Sequence, residues 1–223
     1  PADRCFGQPG RILRPVGGHC DFCAGVAYKA ATAGMDGGAN SGSDREVHWV
    51  REYLYQACGL TLRLPLACPA LLPVAEERSV ADIDVVYGAT PAALAAPLAG
   101  ERYWQAEPNR LLYRMGRYGR YLVEDGCRIT VTRDADTEDA DVCFHLLYAC
   151  LAIALQQRGL FVLHANTVRL QGKAVTFAGL SGAGKSTLLA ALVAEGHAML
   201  ADDVTVIDAP PMGPALVRPG FPH

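Results

Sequence analysis

Residues 179–187 read Gly-Leu-Ser-Gly-Ala-Gly-Lys-Ser-Thr, a G-x-x-x-x-G-K-[ST] pattern that narrows the fold further than any other stretch of the chain. Glycines at 179, 182 and 184 let the backbone curl until successive N–H groups converge on phosphate oxygens. Lys185 adds positive charge for the outer phosphates, and the Ser186 hydroxyl is a ligand for Mg²⁺. The pattern needs a strand before it and a helix after it. Residues 173–178 (KAVTFA) are apolar and β-branched and read as that strand. Residues 186–195 (STLLAALVAE) are rich in helix formers and stop at Gly196. The helix would aim its positive end at the same anion. The predicted nucleotide contacts are therefore Gly179, Leu180, Ser181, Gly182, Ala183, Gly184, Lys185, Ser186 and Thr187, with ATP and Mg²⁺ as cofactors.

One helix further on, residues 198–201 read as the end of a buried strand, Asp202 and Asp203 stand at its tip, and 204–207 continue as strand. Two acids at a strand end beside a phosphate loop can divide the work: one holds Mg²⁺, the other accepts a proton from an attacking hydroxyl. Asp202 is assigned to the metal with Ser186, and Asp203 to the proton, with the reverse order left open. A solvated Asp-Asp turn is the competing reading. His164 ends the apolar run 159–164, as a packed core histidine or as a phosphate-facing group.

The segments 163–168 (LHANTV), 179–187 and 196–203 (GHAMLADD) together resemble the catalytic domain of the HPr kinase/phosphorylase group, and in particular its relatives in bacterial gene clusters. Some of that wider group phosphorylate a serine of a ribosomal peptide precursor. The loop is also similar to that of ATP-dependent phosphoenolpyruvate carboxykinase. The resemblance covers roughly residues 50–222 and is specific over 163–207. It implies phosphate and Mg²⁺ contacts for Lys185 and Ser186. It implies the acidic pair for Asp202 and Asp203, and a histidine reaching the phosphoryl-transfer site for His164. Asp203, Asp202, His164 and Lys185 are thus the expected catalytic residues, and the expected partner is a protein or peptide with an acceptor serine; a small-molecule kinase or carboxykinase-like transferase, and a nucleotide-binding regulatory module without catalysis, stay open as alternatives. Ala165 stands where the bifunctional enzymes carry glycine, and Ser186-Thr187 replaces their Ser-Glu. Nothing matches their downstream catalytic region, so the resemblance implies the kinase direction rather than phosphorolysis.

Few residues follow Ser186, too few for the parallel strands that an ordinary P-loop protein draws from after its loop. The expectation is an α+β fold, a mixed sheet around the P-loop strand–loop–helix, truncated at the C-terminus, with association through an uncovered sheet edge as a route to a homo-oligomer. Residues 1–45 hold nine glycines and no sustained apolar period, and read as a flexible or non-native extension. Residues 46–138 read as a β-rich part and 139–223 as the kinase core. Strands are expected near 60–64 and 81–87, and a three-strand meander over 109–132 turns at Asp125-Gly126.

The formal net charge of −3 leaves no electrostatic footprint for nucleic acid. Cations concentrate only in 110–120, which reads as a surface strand pair, with an acidic-partner patch as the minor alternative. The apolar run 142–155 has the length of a buried helix rather than of a membrane span. ATP dependence implies a cytoplasmic setting, so the eight cysteines are expected reduced. The C-x-x-C at Cys20 and Cys23 lacks a second ligand pair for zinc, and Cys143 and Cys150 read as small core residues.

Overall fold

The computed structural model describes residues 52–74 and 80–221. The extension 1–45 and its C-x-x-C lie outside the described residues. The chain is α+β, with two sheets and a small number of helices.

The first half builds nine strands: β1 (Tyr53–Ala57), β2 (Leu60–Leu64), β3 (Leu72–Pro73), β4 (Ile83–Tyr87), β5 (Ala99–Glu101), β6 (Trp104–Glu107), β7 (Arg110–Arg114), β8 (Arg120–Glu124) and β9 (Arg128–Thr132). They form one sheet in the order β3-β1-β2-β4-β9-β8-β7-β6-β5. Only β2–β4 and β4–β9 pair in parallel; the other pairings are antiparallel. Cys58-Gly59, with positive φ at both positions (52° and 73°), close β1–β2 in a two-residue turn, and Asp125-Gly126 (51° and 64°) begin the three-residue connection between the paired Glu124 and Arg128 of β8 and β9. That backbone twist matches the flanking strands. Alternation is clean in β2, where Leu60, Leu62 and Leu64 point into the core. In β8 three successive residues are buried, because Tyr121 and Val123 enter the main core while Leu122 meets Leu94 and Leu112 on the other face. The cations of 110–120 are partly neutralised within the sheet: Arg110 lies 3.1 Å from both Glu107 and Glu124.

A long apolar helix crosses one face of this sheet. It runs as α1 (Asp139–His145), a π-helical segment (Leu146–Cys150) and α2 (Leu151–Gln157). By length and composition the 19 residues Asp139–Gln157 could cross a membrane, yet Val142, Cys150, Ala154 and Leu155 are all 0% exposed in the protein core. Cys143 is buried with them, as expected. The π segment was not foreseen, because one inserted residue barely alters the apolar period.

The second half adds β10 (Phe161–Leu170), β11 (Lys173–Ala178), α3 (Lys185–Ala194), β12 (Ala198–Ala201), β13 (Val204–Asp208) and β14 (Leu216–Arg218). These five strands order as β11-β10-β13-β14, with β12 also paired to β10. The mixed pairing expected around the glycine loop lies instead in the nine-stranded sheet. Every pairing in the loop-bearing sheet is antiparallel, since β11 returns directly from β10 through the Gln171-Gly172 turn (φ 47° and 76°). Val204, Val206 and Phe221 share one buried cluster with the long helix and with β1, β2, β4, β8 and β9.

His145, expected to pack within its helix, sits in an aromatic box. Its ring centroid is 6.0 Å from Tyr113, 5.3 Å from Tyr118, 5.8 Å from Tyr121 and 5.4 Å from Phe144. Burial holds its pKa below the ordinary 6.5, and the Asp141 carboxylate pulls only partly the other way. Arg117, over the Tyr118 ring at 4.8 Å, is the cation on the facing turn. The folded state thus binds a proton at His145 less readily than the unfolded chain does. Stability from this site is fully present above pH 6.5 and is lost as the pH falls from there toward the folded-state pKa. Denaturant midpoints measured from about pH 7.5 to about pH 5 should decline, and the His145 part of the decline should vanish in His145→Phe. Identical slopes for both proteins would contradict this.

Candidate site at the glycine loop

β11 ends at Ala178, the glycine loop follows, and α3 begins at Lys185. Gly182 and Gly184 are left-handed, with φ of 80° and 88°. A Cβ at either would meet nothing within 4 Å, so what glycine supplies there is backbone conformation rather than space. Gly184 caps α3 without a side-chain hydrogen bond, and its carbonyl accepts the Leu188 N–H at 2.9 Å to start the helix. The Ala183 N–H closes the loop onto Leu180 O at 3.1 Å.

Lys185 folds back over this loop. Its Nζ donates to Gly179 O at 2.8 Å and to Leu180 O at 3.2 Å, and the residue is only 9% exposed. Ser186 and Thr187 are exposed on the first turn of α3, as are residues 179–184 before it.

The acidic pair lies across β10 from the loop. β12 and β13 run end to end along one edge of β10: Thr167 pairs with Ala201, and His164 with Val204. Asp202 and Asp203 bulge out between them. On the opposite edge of β10, Ala165 pairs with Ala178, the last residue before the loop. The same Ala165 donates its N–H to Asp203 O at 3.2 Å. The loop and the acidic bulge are therefore level with each other, about 10 Å apart as two strand spacings require.

The bulge is held from β10. Asp203 has a left-handed backbone, φ 58°. Its N–H donates to Asn166 Oδ1 at 2.9 Å, and its carbonyl receives His164 Nδ1 at 3.0 Å. A carbonyl partner makes Nδ1 the protonated nitrogen of the neutral ring. Asp202 has a buried Oδ1 with no hydrogen-bond partner among the described residues, and the Val204 N–H reaches back to its carbonyl at 2.6 Å. Below the bulge, Thr167 Oγ1 lies 2.9 Å from both Thr176 Oγ1 and Thr205 Oγ1, and Thr205 donates to Ala165 O at 2.8 Å.

Of the residues singled out in the sequence, His164, Asp202 and Asp203 come together directly, and Lys185 with 179–187 stands on the other side of one strand. Two residues at this site were missed. Asn166 is 0% exposed in mid-strand, and the polar Asn166-Thr167 pair inside an apolar run was the signal available. Tyr148, in the π segment, meets Phe221 edge to face, with centroids 5.8 Å apart. Burial, and then the Asp203 and Asp202 carboxylates, hold its phenol above the ordinary range. An open groove of about 410 Å³ bordered by Arg63, Asp84 and Arg128 lies on the nine-stranded sheet, apart from this site. Comparisons with family models, with curated proteins and with solved structures each return no match.

Thr167→Val keeps the shape of a 0% exposed residue and strips two hydroxyl partners of a bond. It should cost about 1–3 kcal/mol in chemical denaturation. An unchanged midpoint would show that the threonine network adds no stability.

Proposed function

We propose that residues 179–187 are a nucleotide-binding P-loop. On this reading the chain is an ATP-dependent kinase related to the HPr kinase group, transferring the γ-phosphate to a serine hydroxyl of a protein or peptide. The observation that carries the proposal is the placement just described: a strand, a glycine loop closed by its own lysine, and a helix, with a paired-aspartate bulge level with them across one strand. The finer fold proposed is the nucleotide core that HPr kinase shares with phosphoenolpyruvate carboxykinase, in a cytoplasmic setting where ATP is available.

In this reading the N–H groups of Gly182 and of residues 184–187 receive the phosphates, while the Ala183 N–H stays bonded to Leu180 O. Lys185 exchanges two neutral carbonyls for phosphate oxygens, which are the stronger acceptors for an ammonium. His164, exposed and anchored at Nδ1, stands beside Asp203 on the acceptor side. Asp203 takes the proton of the serine hydroxyl as its oxygen bonds to the γ-phosphorus, and the bond to the β-phosphate oxygen breaks to release ADP. Asp202 and Ser186 are the residues that would hold Mg²⁺, which when bound supplies charge neutralisation on the phosphates. The fit is supported by the buried, unpartnered Asp202 Oδ1. Among the described residues no group of three or more His, Cys, Asp or Glu could hold a metal alone. Mg²⁺ held by one carboxylate, a hydroxyl, phosphates and water needs no such group.

Lys185→Ala should weaken Mg-ATP binding by about 10- to 100-fold, the worth of a charge-assisted hydrogen bond, with the fold intact by circular dichroism. Calorimetric titration compares the two, and equal affinities would remove the P-loop reading. A separate expectation concerns chemistry. Asp203→Asn should bind ATP but lose phosphoryl transfer, whereas Asp202→Asn should raise the Mg²⁺ requirement. Transfer of labelled phosphate to a serine peptide across a Mg²⁺ series reads both. Turnover unaffected by either substitution would make the acidic pair structural.

A further inference from the structure

Three consecutive residues of β10 hold both backbone polar groups of Asp203. His164 and Ala165 bind its carbonyl at 3.0 and 3.2 Å, and Asn166 binds its N–H at 2.9 Å. The grip stabilises a φ of 58°, a left-handed conformation that L-residues seldom adopt, although aspartate enters it more readily than most. The sign of φ sets the direction of the Cα–Cβ bond. Returning residue 203 to an ordinary strand conformation would swing its carboxylate away from where the bulge now presents it.

Asn166 is an odd choice for any other task. It is 0% exposed, and its Nδ2 is buried with no hydrogen-bond partner among the described residues. A leucine of similar size would fill the same space without an unpaired donor. Among the described residues, the Oδ1 bond to residue 203 is the polar interaction that accounts for an amide at this position.

We infer that Asn166 is a positioning residue: its Oδ1 fixes the left-handed turn that directs the Asp203 carboxylate toward the acceptor hydroxyl. The catalytic half of this statement rests on the kinase reading above; the structural half does not.

The test uses the full chain with Asn166→Leu and Asn166→Asp. Leucine removes the accepting oxygen, and aspartate keeps it. In Asn166→Leu, hydrogen exchange at the Asp203 amide, followed by NMR, should accelerate about tenfold relative to wild type, the worth of one hydrogen bond. The Val168 and Val175 amides, paired in the β10–β11 ladder, should keep their protection. In Asn166→Asp the Asp203 amide should stay protected. If the leucine variant does not fold, the aspartate variant decides: retained protection supports the inference and lost protection overturns it. In phosphoryl transfer, Asn166→Leu should lower kcat about tenfold with the KM for ATP unchanged, and Asn166→Asp should recover most of the loss. Asp203 protection equal to wild type in Asn166→Leu overturns the inference. So does a raised KM with unchanged kcat. If the wild-type chain takes up no nucleotide, the kinase reading falls, and the exchange rates still decide whether Asn166 holds the turn.

Discussion

The ladder of β10 is the constraint on which the rest of the site depends. One ten-residue strand serves β11 on one edge, and β12 and β13 in succession on the other. Its register decides which residues meet. Ala165 is opposite Ala178 and also bonded to Asp203, so a single residue ties the start of the glycine loop to the acidic bulge. A slip of one residue would turn every side chain of β10 to the other face. Thr167 would leave its hydroxyl partners and Asn166 would leave Asp203. Burying Asn166, Thr167 and Thr205, each at 0% exposure, makes such a slip costly, because every polar atom moved out of place becomes an unsatisfied one.

The two sides of this sheet are packed very differently. The long helix and the nine-stranded sheet cover one side, and Val204 and Val206 join the main core there. On the other side α3 buries only Lys185 and Leu189, leaving Leu188 and Val193 more than 40% exposed, and β11 is an edge strand. The bulge is anchored to the well-packed interior, while the loop belongs to the lightly packed margin. Elements that respond to ligands are commonly drawn from the less stable parts of a fold, and the exchange of partners proposed for Lys185 would take place in such a part.

What could be read in the sequence was local. Strand, glycine loop and helix at 173–195 follow from residues within one another's reach, as do the Asp125-Gly126 turn and the long helix over 139–157. The ladder partners of β10 were not legible, because pairing between residues forty apart leaves no periodicity. For the same reason a mixed sheet was expected around the loop, whereas the parallel pairs lie at β4 in the other sheet: the α+β class could be read, but the neighbours of the loop could not. Asp203 was chosen for its chemistry, and its left-handed backbone is a product of the bulge, set by side chains at 164 and 166. Tyr148 reaches the same region from a π turn that the apolar pattern smooths over.

The central claim is that the cradle at 179–187 receives phosphate while the bulge across β10 faces it. A backbone amide NMR titration with Mg²⁺ and a non-hydrolysable ATP analogue tests it most directly. The largest shifts should fall on residues 182–187, with a second set at Asp202 and Asp203 that appears only when Mg²⁺ is present. Shifts confined to the groove of Arg63, Asp84 and Arg128, or no saturable shifts at the loop, would contradict it.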